Sequence, residues 1–338
     1  MRFEFYSEAI DDLPKLSVDG TVPKSIHFSH WNGNETAPEL KADTSTEIAV
    51  KLVTSANRDQ LTQGIDLVTN NHFDTDGMLS VWTVMNGETA AKYRDTLIAA
   101  AEAGDFSEYS GADGVRISLA IQGVDGAIPL DDLGSPLARL LAGQEVDDDA
   151  RCYELILPEV ENLITNINDY EPLWRDGWKN IVEALESFDR GASSVSEPTG
   201  SNVSLVLLSP DIFSGGGFNP TRHSAPYTAI SKFAHGQLFV IAIPTAGGWY
   251  YRIDYPYYSW AETVVRPKIE RQDLTSILQN LNAREGNKNG RWHTDSSELS
   301  GAAKFLDGEN KLMASTMKPE QVHEAFSNMG TAAAGTTR

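Results

Sequence analysis

Short apolar segments alternate with longer helical patterns over the first third of the chain. Residues 25–30 read as a strand, and a capping box at 44–47 then opens a helical pattern. Residues 65–69 read as a second strand, and a polar turn separates them from an apolar helix that begins at 78. This alternation predicts stacked strand–helix units and a largely parallel sheet, because parallel strands need a crossover between them.

The pattern changes in the second half of the chain. Residues 115–122 are predicted to form a third strand, and one long helical pattern runs from 151 to 188 with a break near Pro172. After a Ser- and Gly-rich segment, a hairpin is predicted between 238–243 and 249–255. The predicted parts are an N-terminal α/β lobe with the candidate metal site over 1–150, a connecting helical segment over 151–190, a C-terminal α+β lobe over 200–330 and a disordered tail over 331–338.

The fold class that follows is α/β. We expect an N-terminal mostly parallel sheet with flanking helices, a long connecting helix and a smaller α+β C-terminal lobe. The length of 338 residues agrees with two lobes, since it exceeds that of a typical single domain.

Composition excludes several classes of protein. A formal charge of −21 disfavours duplex nucleic acid, whose binding depends on cationic groups. No segment approaches the roughly 18 uninterrupted apolar residues of a membrane span, and early acidic residues such as Glu4 do not suit a secretory signal. The single Cys152 excludes an intrachain disulfide. We expect a soluble, cytoplasmic protein that does not bind membranes, and the sequence leaves a homodimer open.

The turn after the second predicted strand carries the strongest chemical pattern. It places one imidazole and two carboxylates, His72, Asp74 and Asp76, in the order His-x-Asp-x-Asp, and Gly77 follows. Alternate residues of an extended segment share a side, so all three side chains can converge on one point. These are suitable ligands for manganese, iron or magnesium. The alternative interpretation is a helix cap, in which an aspartate only accepts hydrogen bonds from the backbone of the next helix.

A second metal ion would need ligands from neighbouring strand ends. The candidates by predicted position are Asp125, His30, His27 and Asp43. His27 and His30 differ by an odd number, so a regular strand turns them to opposite sides. We therefore expect one of the two histidines to be structural.

The stretch 65–82, with its strand, His72–Gly77 turn and apolar helix, resembles the first metal-binding motif of the DHH phosphoesterases. The resemblance implies a parallel α/β lobe with two metal ions, commonly manganese, a long connecting helix and a smaller lobe that contacts the substrate. It carries over His72, Asp74 and Asp76 as metal ligands. The resemblance is confined to this motif, because the sequence contains no Asp-His-His triplet.

Two loops of the C-terminal half place an arginine close to a histidine. A guanidinium group donates two parallel hydrogen bonds to a phosphate, which makes such loops candidates for substrate binding. The alternative is an arginine that is merely solvated at the surface. The candidate substrate-binding residues are Arg222, His223, Arg291 and His293.

These patterns favour a metal-dependent phosphoesterase-like hydrolase that acts on a small phosphorylated substrate, a nucleotide or short oligonucleotide, in a cleft between the lobes. The cofactor would be a divalent metal, manganese with magnesium or iron as alternatives, and no catalytic residue is assigned beyond the metal ligands. A non-catalytic α/β binding or scaffold protein remains open, as does a one-metal hydrolase of carbon–nitrogen or ester bonds. The sequence lacks a Gly-x-Ser-x-Gly elbow, a phosphate-binding Gly-Lys-Ser/Thr loop and a dinucleotide fingerprint.

Overall fold

The structure is a computed structural model that describes residues 1–123, 148–213, 225–295 and 300–327. Its contacts divide the chain into two compact units. Unit 1 comprises Met1–Lys179 and Trp260–Lys268, and unit 2 comprises Asn180–Ser259 and Ile269–Arg338. The segment Trp260–Lys268, here called the return segment, thus belongs to unit 1 although unit 2 residues flank it in the sequence.

Unit 1 contains a four-stranded parallel sheet. Its strands are β1 (Arg2–Phe3), β2 (Lys15–Val18), β3 (Ile26–Phe28) and β4 (Leu67–Thr69), in the spatial order β1-β4-β2-β3. All the pairings are parallel, and β2 and β4 are buried along their whole length. Parallel strands end at one common edge, so the loops after β2, β3 and β4 meet there.

The helices of unit 1 pack on this sheet and on one another. They are α1 (Ser45–Thr54), α2 (Arg58–Leu61), α3 (Thr75–Met85), α4 (Gly87–Lys92), α5 (Arg94–Phe106), α6 (Ala112–Gln122), α7 (Asp149–Ile156) and α8 (Val160–Thr165). Thr44 caps α1 as its sequence predicts, since its side chain accepts a hydrogen bond from the Glu47 amide at 3.2 Å. Buried Leu16, Val68 and Leu79 belong to one continuous core.

The prediction of a third strand over 115–122 is wrong, because these residues lie in α6. The β-branched residues Val115 and Ile117 favoured a strand, but the buried positions follow helical spacing. Gly114 lets α6 approach α5 closely, since a Cβ there would lie 2.7 Å from the Ala99 backbone. Tertiary packing has therefore overridden local propensity.

The long helical pattern from 151 to 188 forms several elements rather than one helix. Pro158 lies in a 3-10 turn between α7 and α8, where proline cannot donate a helical hydrogen bond. A second 3-10 turn, Ile167–Tyr170, precedes α9 (Glu171–Asp189). Pro172 stands in the first turn of α9, where proline is tolerated, so the predicted break lies earlier than Pro172.

Unit 2 contains a six-stranded mixed sheet with helices. Its strands are β5 (Ser194–Ser196), β6 (Val203–Leu207), β7 (Leu238–Thr245), β8 (Gly248–Asp254), β9 (Gly290–Thr294) and β10 (Gly301–Asp307), in the order β5-β6-β7-β8-β10-β9. The predicted hairpin is present as β7 and β8. The helices are α10 (Ala225–Phe233), α11 (Thr275–Arg284) and α12 (Pro319–Ser327). The α/β fold class is confirmed.

Within the described ranges, no helix combines the length and the apolar character that a membrane-spanning helix needs. The predicted tail over 331–338 lies outside the described residues.

Candidate metal centre

Acidic and imidazole side chains converge at the carboxyl edge of the parallel sheet. Asp19 directly follows β2, His30 stands two residues beyond β3, and the turn with His72 follows β4. Asp19 has a left-handed backbone, with φ of 62°, a conformation that aspartate tolerates better than most residues. The topology of the sheet therefore assembles residues that are far apart in the sequence.

The candidate ligand atoms form two groups that share Asp19. The inner group consists of Asp19, His30, Asp76 and Asp105, and the outer group consists of Asp19, His72 and Asp74. Within each group the ligand atoms lie within 4.8 Å of one another. Because Asp19 offers two carboxylate oxygens, it can serve both groups at once.

The outer group is the more accessible of the two. The His72 Nε2 atom lies 2.9 Å from Asp19 Oδ2 and 3.2 Å from Asp74 Oδ2. The side chains of His72 and Asp74 are 25% and 36% exposed. Asp74 also caps α3, since its Oδ1 accepts a hydrogen bond from the Gly77 amide at 2.7 Å. The cap and ligand interpretations of Asp74 are therefore compatible, because they use different oxygens.

The inner group is enclosed. The His30 Nε2 atom lies 3.5 Å from Asp19, 3.7 Å from Asp76 and 3.1 Å from Asp105, and all four side chains are buried. On the other side of the ring, His30 Nδ1 lies 2.6 Å from the Asp43 carbonyl oxygen. A carbonyl only accepts hydrogen bonds, so Nδ1 carries a proton, and in a neutral ring the Nε2 lone pair faces the carboxylates. Metal-binding histidines commonly make such a bond from their second nitrogen.

The N-terminus of α1 fixes the orientation of Asp76. The Ser45 and Thr46 amides each donate a hydrogen bond of 2.7 Å to a different oxygen of the Asp76 carboxylate. These amides have no partner inside the helix, and they stabilise a buried negative charge. Ser45 Oγ also donates to Asp19 Oδ1 at 2.9 Å. One helix end thus holds two of the acidic ligands in place.

Two buried atoms of this centre lack hydrogen bonds. Among the described residues, Asp19 Oδ2 and His30 Nε2 have neighbours at ion-pair distance but no partner in hydrogen-bonding geometry. Buried polar atoms are rarely left in this state. A cation between the ligand atoms would satisfy both, and imidazole with carboxylate is a donor set that divalent first-row metals accept. The residues therefore fit a bound metal.

The pKa values of the metal-free centre reflect the negative charge concentrated in it. Burial would lower the pKa of His30, but Asp105, Asp76 and Asp19 together raise it to about 10. Burial and the charge of Asp19 raise the pKa of Asp76 to about 7. Burial, followed by the charges of Asp76 and Asp74, raises the pKa of Asp105 well above its ordinary value.

The candidate ligands carry more negative than positive charge. If all four carboxylates were ionised they would carry −4, and two protonated imidazoles would return only +2, which would leave −2 in a largely buried cluster. Within the described part of the chain, the two imidazoles are the only basic groups in ion-pair contact with these carboxylates. Two divalent cations with neutral imidazoles would bring the sum to zero. Buried charge without compensation is strongly destabilising, so the metal-free centre must take up protons, as the raised pKa values of Asp76 and Asp105 indicate, whereas bound cations would allow all four carboxylates to be ionised.

The predicted ligands are only partly arranged as expected. His72 and Asp74 lie together, but Asp76 faces the inner group with His30, because it lies inside α3 rather than on an extended segment. Asp43 uses its carboxylate elsewhere in unit 1, and His27 contacts the Val22 carbonyl oxygen at 3.2 Å. Asp125 lies outside the described residues.

Sequence reasoning missed two candidate ligands of the inner group. Asp19 follows the short strand β2, and the apolar Leu16 and Val18 with the Asp-Gly turn behind them were a usable signal. Asp105 lies at the end of α5, where nothing in the local sequence separates it from a solvated acidic residue. Only the packing of α5 against α3 brings it to the centre.

The candidate substrate-binding residues lie in the C-terminal half. Arg291 and His293 lie on β9 in unit 2, and their side chains line a cavity of about 560 Å³ together with Lys288. Their alternate positions place them on the face opposite buried Trp292. Arg222 and His223 lie outside the described residues.

A family model described as a family of unknown function, DUF6687, matches residues 1–334, so the chain belongs to this family. No curated protein matches the sequence. Among solved structures, a pGpG-specific phosphodiesterase from Vibrio cholerae is similar at 10% identity and a TM-score of 0.33, and the match covers 94% of this chain and 99% of that one. Membership of this family assigns no activity to the chain.

Proposed function

We propose that this member of the DUF6687 family is a metal-dependent hydrolase of phosphate esters that acts on a small phosphorylated substrate, a nucleotide or short oligonucleotide. The observation that carries the proposal is the position of Asp19, which belongs to both ligand groups. Paired metal sites of this kind are typical of phosphatases and nucleases, where ions about 3.5–4 Å apart contact one phosphoryl group. The resemblance of the His72–Gly77 turn to a DHH motif agrees with it.

Each residue of the centre has a defined task in this proposal. Asp19, His72 and Asp74 would hold one divalent ion, and Asp19, His30, Asp76 and Asp105 would hold the other. Manganese suits this mixed donor set, with magnesium and iron as alternatives. The bound ions would supply Lewis-acid stabilisation of the charge on phosphoryl oxygens.

The exposure of the ligands indicates where a substrate would enter. His72 and Asp74 are partly exposed, whereas the inner ligands are buried, so the substrate would approach the outer group. The His30 ring packs 5.0 Å from the Trp260 ring and 5.8 Å from the Phe106 ring. These aromatic side chains exclude water from the inner group, which strengthens its electrostatic interactions.

The test is a titration of the chelator-treated full-length chain with Mn²⁺, in which isothermal calorimetry measures the number of bound ions and their affinities. We expect roughly two Mn²⁺ per chain in the wild type, as a two-metal centre requires. Asp19→Asn should lose both ions because it removes the shared ligand, and His72→Gln should retain the inner ion. Asp66→Asn is the matched control, since Asp66 is exposed and precedes β4 at the opposite edge of the sheet. Circular dichroism verifies that each variant is folded.

Activity is measured on the same preparations with nucleotides, linear and cyclic dinucleotides, and inorganic polyphosphate. Hydrolysis that needs Mn²⁺ and falls roughly 10²-fold or more in Asp19→Asn supports the proposal. A wild-type chain that takes up no Mn²⁺ would contradict it. Two bound ions without hydrolysis of any phosphate ester would favour a non-catalytic binding protein, and hydrolysis of amide or carboxylic ester bonds alone would favour the other hydrolase class.

A further inference from the structure

The return segment contacts the loop that carries His30. The Glu262 amide donates a hydrogen bond of 2.7 Å to the His30 carbonyl oxygen, and Asn32 Nδ2 donates to the Trp260 carbonyl oxygen at 2.5 Å. The Glu262 carboxylate also pairs with Lys41 at 2.5 Å. This part of the chain, more than 200 residues beyond His30 in the sequence, thus contributes directly to the surroundings of the inner group.

Asp43 connects the return segment to His30. Its carboxylate accepts hydrogen bonds from three successive amides, those of Val264, Val265 and Arg266, and from Arg266 Nη1 at 2.8 Å. The carbonyl oxygen of the same residue accepts the His30 Nδ1–H bond. These hydrogen bonds fix the position of Asp43 and, through its carbonyl oxygen, that of the His30 imidazole.

The other edge of the Arg266 guanidinium group holds the end of α5. Arg266 Nε donates to Glu108 at 3.0 Å, and Nη2 donates to Glu102 at 2.7 Å. Asp105, the ligand of the inner group, lies between these two glutamates in the sequence. The Phe106 ring packs beneath the guanidinium carbon, with its centroid 5.0 Å away. Arg266 thus binds one residue before Asp105 and one after it, Glu102 and Glu108, and fixes this end of α5.

We propose that Arg266 is a positioning residue for the inner ligand group, which it aligns from two sides through Asp43 and through Glu102 and Glu108. The inference rests on the proposed function only in that the inner group binds a metal ion. His30 Nε2 is aimed into the group, and among the described residues this buried atom has no partner in hydrogen-bonding geometry, although Asp105 lies 3.1 Å away. Arg266 itself does not contact the ion in this proposal.

A lysine could not replace this arginine. The guanidinium group is planar and presents donors on two edges, and the structure uses Nη1 for Asp43 and Nε with Nη2 for the glutamates. An ammonium group carries the same charge but cannot span three carboxylates in fixed directions. The Arg266 side chain is 17% exposed, so solvent screens these pairs less than it screens surface pairs.

The test compares Arg266→Gln and Arg266→Lys with the wild type and with Arg116→Gln. Arg116 is the matched control, because it is 21% exposed, pairs with Asp113 and stacks 5.2 Å from the Trp174 ring, and it makes no ion pair with a candidate ligand within the described residues. We expect both Arg266 variants to bind the tighter Mn²⁺ about 10- to 100-fold more weakly, the effect typical of residues that orient metal ligands. The weaker Mn²⁺, assigned to the outer group, should keep its affinity.

A second measurement does not depend on metal. In the metal-free wild type, the His30 Nδ1 proton bonded to Asp43 should give a protected NMR signal, which both Arg266 variants should lose and Arg116→Gln should keep. Folded Arg266 variants that bind Mn²⁺ within twofold of the wild type, or that keep the signal, would overturn the proposal. If the wild type binds no Mn²⁺, the proposed function fails, and the His30 signal alone decides whether Arg266 positions the imidazole.

Discussion

Asp105 is the residue at which the negative charge of the metal-free centre has the clearest consequence, because its side chain is buried beside other carboxylates. Its carboxylate is buried. The carboxylates of Asp105, Asp76 and Asp19 all lie within 3.7 Å of the same atom, His30 Nε2. Burial and the negative charges around it raise its pKa well above the ordinary value, although His30 opposes the shift. A carboxylate in such a place destabilises the folded metal-free protein and stabilises the metal-bound one.

We therefore expect Asp105→Asn to have opposite effects in the two states. Without metal, the melting temperature should rise by roughly 2–4 °C, the shift that about 1 kcal/mol produces in a unit of this size. With Mn²⁺ present, the variant should gain less stability than the wild type, because one ligand is lost. Differential scanning calorimetry with and without Mn²⁺ checks both. A variant that melts lower than the wild type in chelator would contradict the repulsion argument.

Some residues of the centre can be predicted as candidate ligands from the sequence, and others cannot. The His72–Gly77 turn is visible because three ligand types stand within five residues after an apolar strand. The pairing of Asp76 with His30 rather than His72 depends on where α3 begins, because Asp76 lies in the first turn of that helix, and the ends of an element are what sequence patterns indicate least well. Asp105 could not be predicted, since its role arises from tertiary packing alone.

At the level of elements, the start of α3 is held by a close packing contact. A Cβ on Gly77 would lie 2.3 Å from Asn70 Nδ2 and 2.9 Å from the Tyr153 hydroxyl oxygen. Asn70 in turn accepts a hydrogen bond from the Gly20 amide at 3.2 Å and donates one to Tyr153 at 3.0 Å. Gly77 is therefore needed for this approach, which links the loop after β2 to the loop after β4.

We expect Gly77→Ala to displace Asn70 and with it both loops that supply the outer group. Overpacking of this kind destabilises by about 1–3 kcal/mol. The weaker Mn²⁺ should bind roughly 10-fold less tightly, as for other changes behind a ligand. Gly111→Ala is the control, because an added Cβ there meets no atom within 4 Å. Urea unfolding and Mn²⁺ titration test the two effects, and an unchanged Mn²⁺ affinity in a folded variant would count against the link.

Elements whose apolar residues recur at a clear period were easier to predict than elements whose secondary structure depends on tertiary packing. The β7–β8 hairpin follows from two apolar runs across Gly247 and Gly248, and the strand–helix alternation of unit 1 follows from local patterns. Helix α6 was misjudged because its β-branched residues favour strands when considered alone. The return segment carries no pattern that would assign it to unit 1, since its contacts involve Lys41, Asp43 and the end of α5.

Cations can stabilise this acidic protein in two ways, by screening its overall negative charge and by binding at the buried ligand groups. A formal charge of −21 on 338 residues makes the folded chain repel itself, and added salt screens that repulsion over about 10 Å at 0.1 M. Raising NaCl should therefore increase the melting temperature of the chelator-treated protein slightly. Surface-bound divalent ions would act in the same way, and NaCl would compete with them.

The buried ligand groups should respond differently. Mn²⁺ that binds the native state alone stabilises it by about 2.7 kcal/mol at a free concentration 100 times its dissociation constant. Because the inner ligands are enclosed, we expect this gain to persist when NaCl is raised from low concentration to several hundred millimolar. Thermal melts of the wild type and Asp19→Asn, with and without Mn²⁺ at both salt concentrations, measure it. A gain that disappears in high salt, or that equals the gain of Asp19→Asn, would show that Mn²⁺ acts on the acidic surface and that the two groups sharing Asp19 hold no metal.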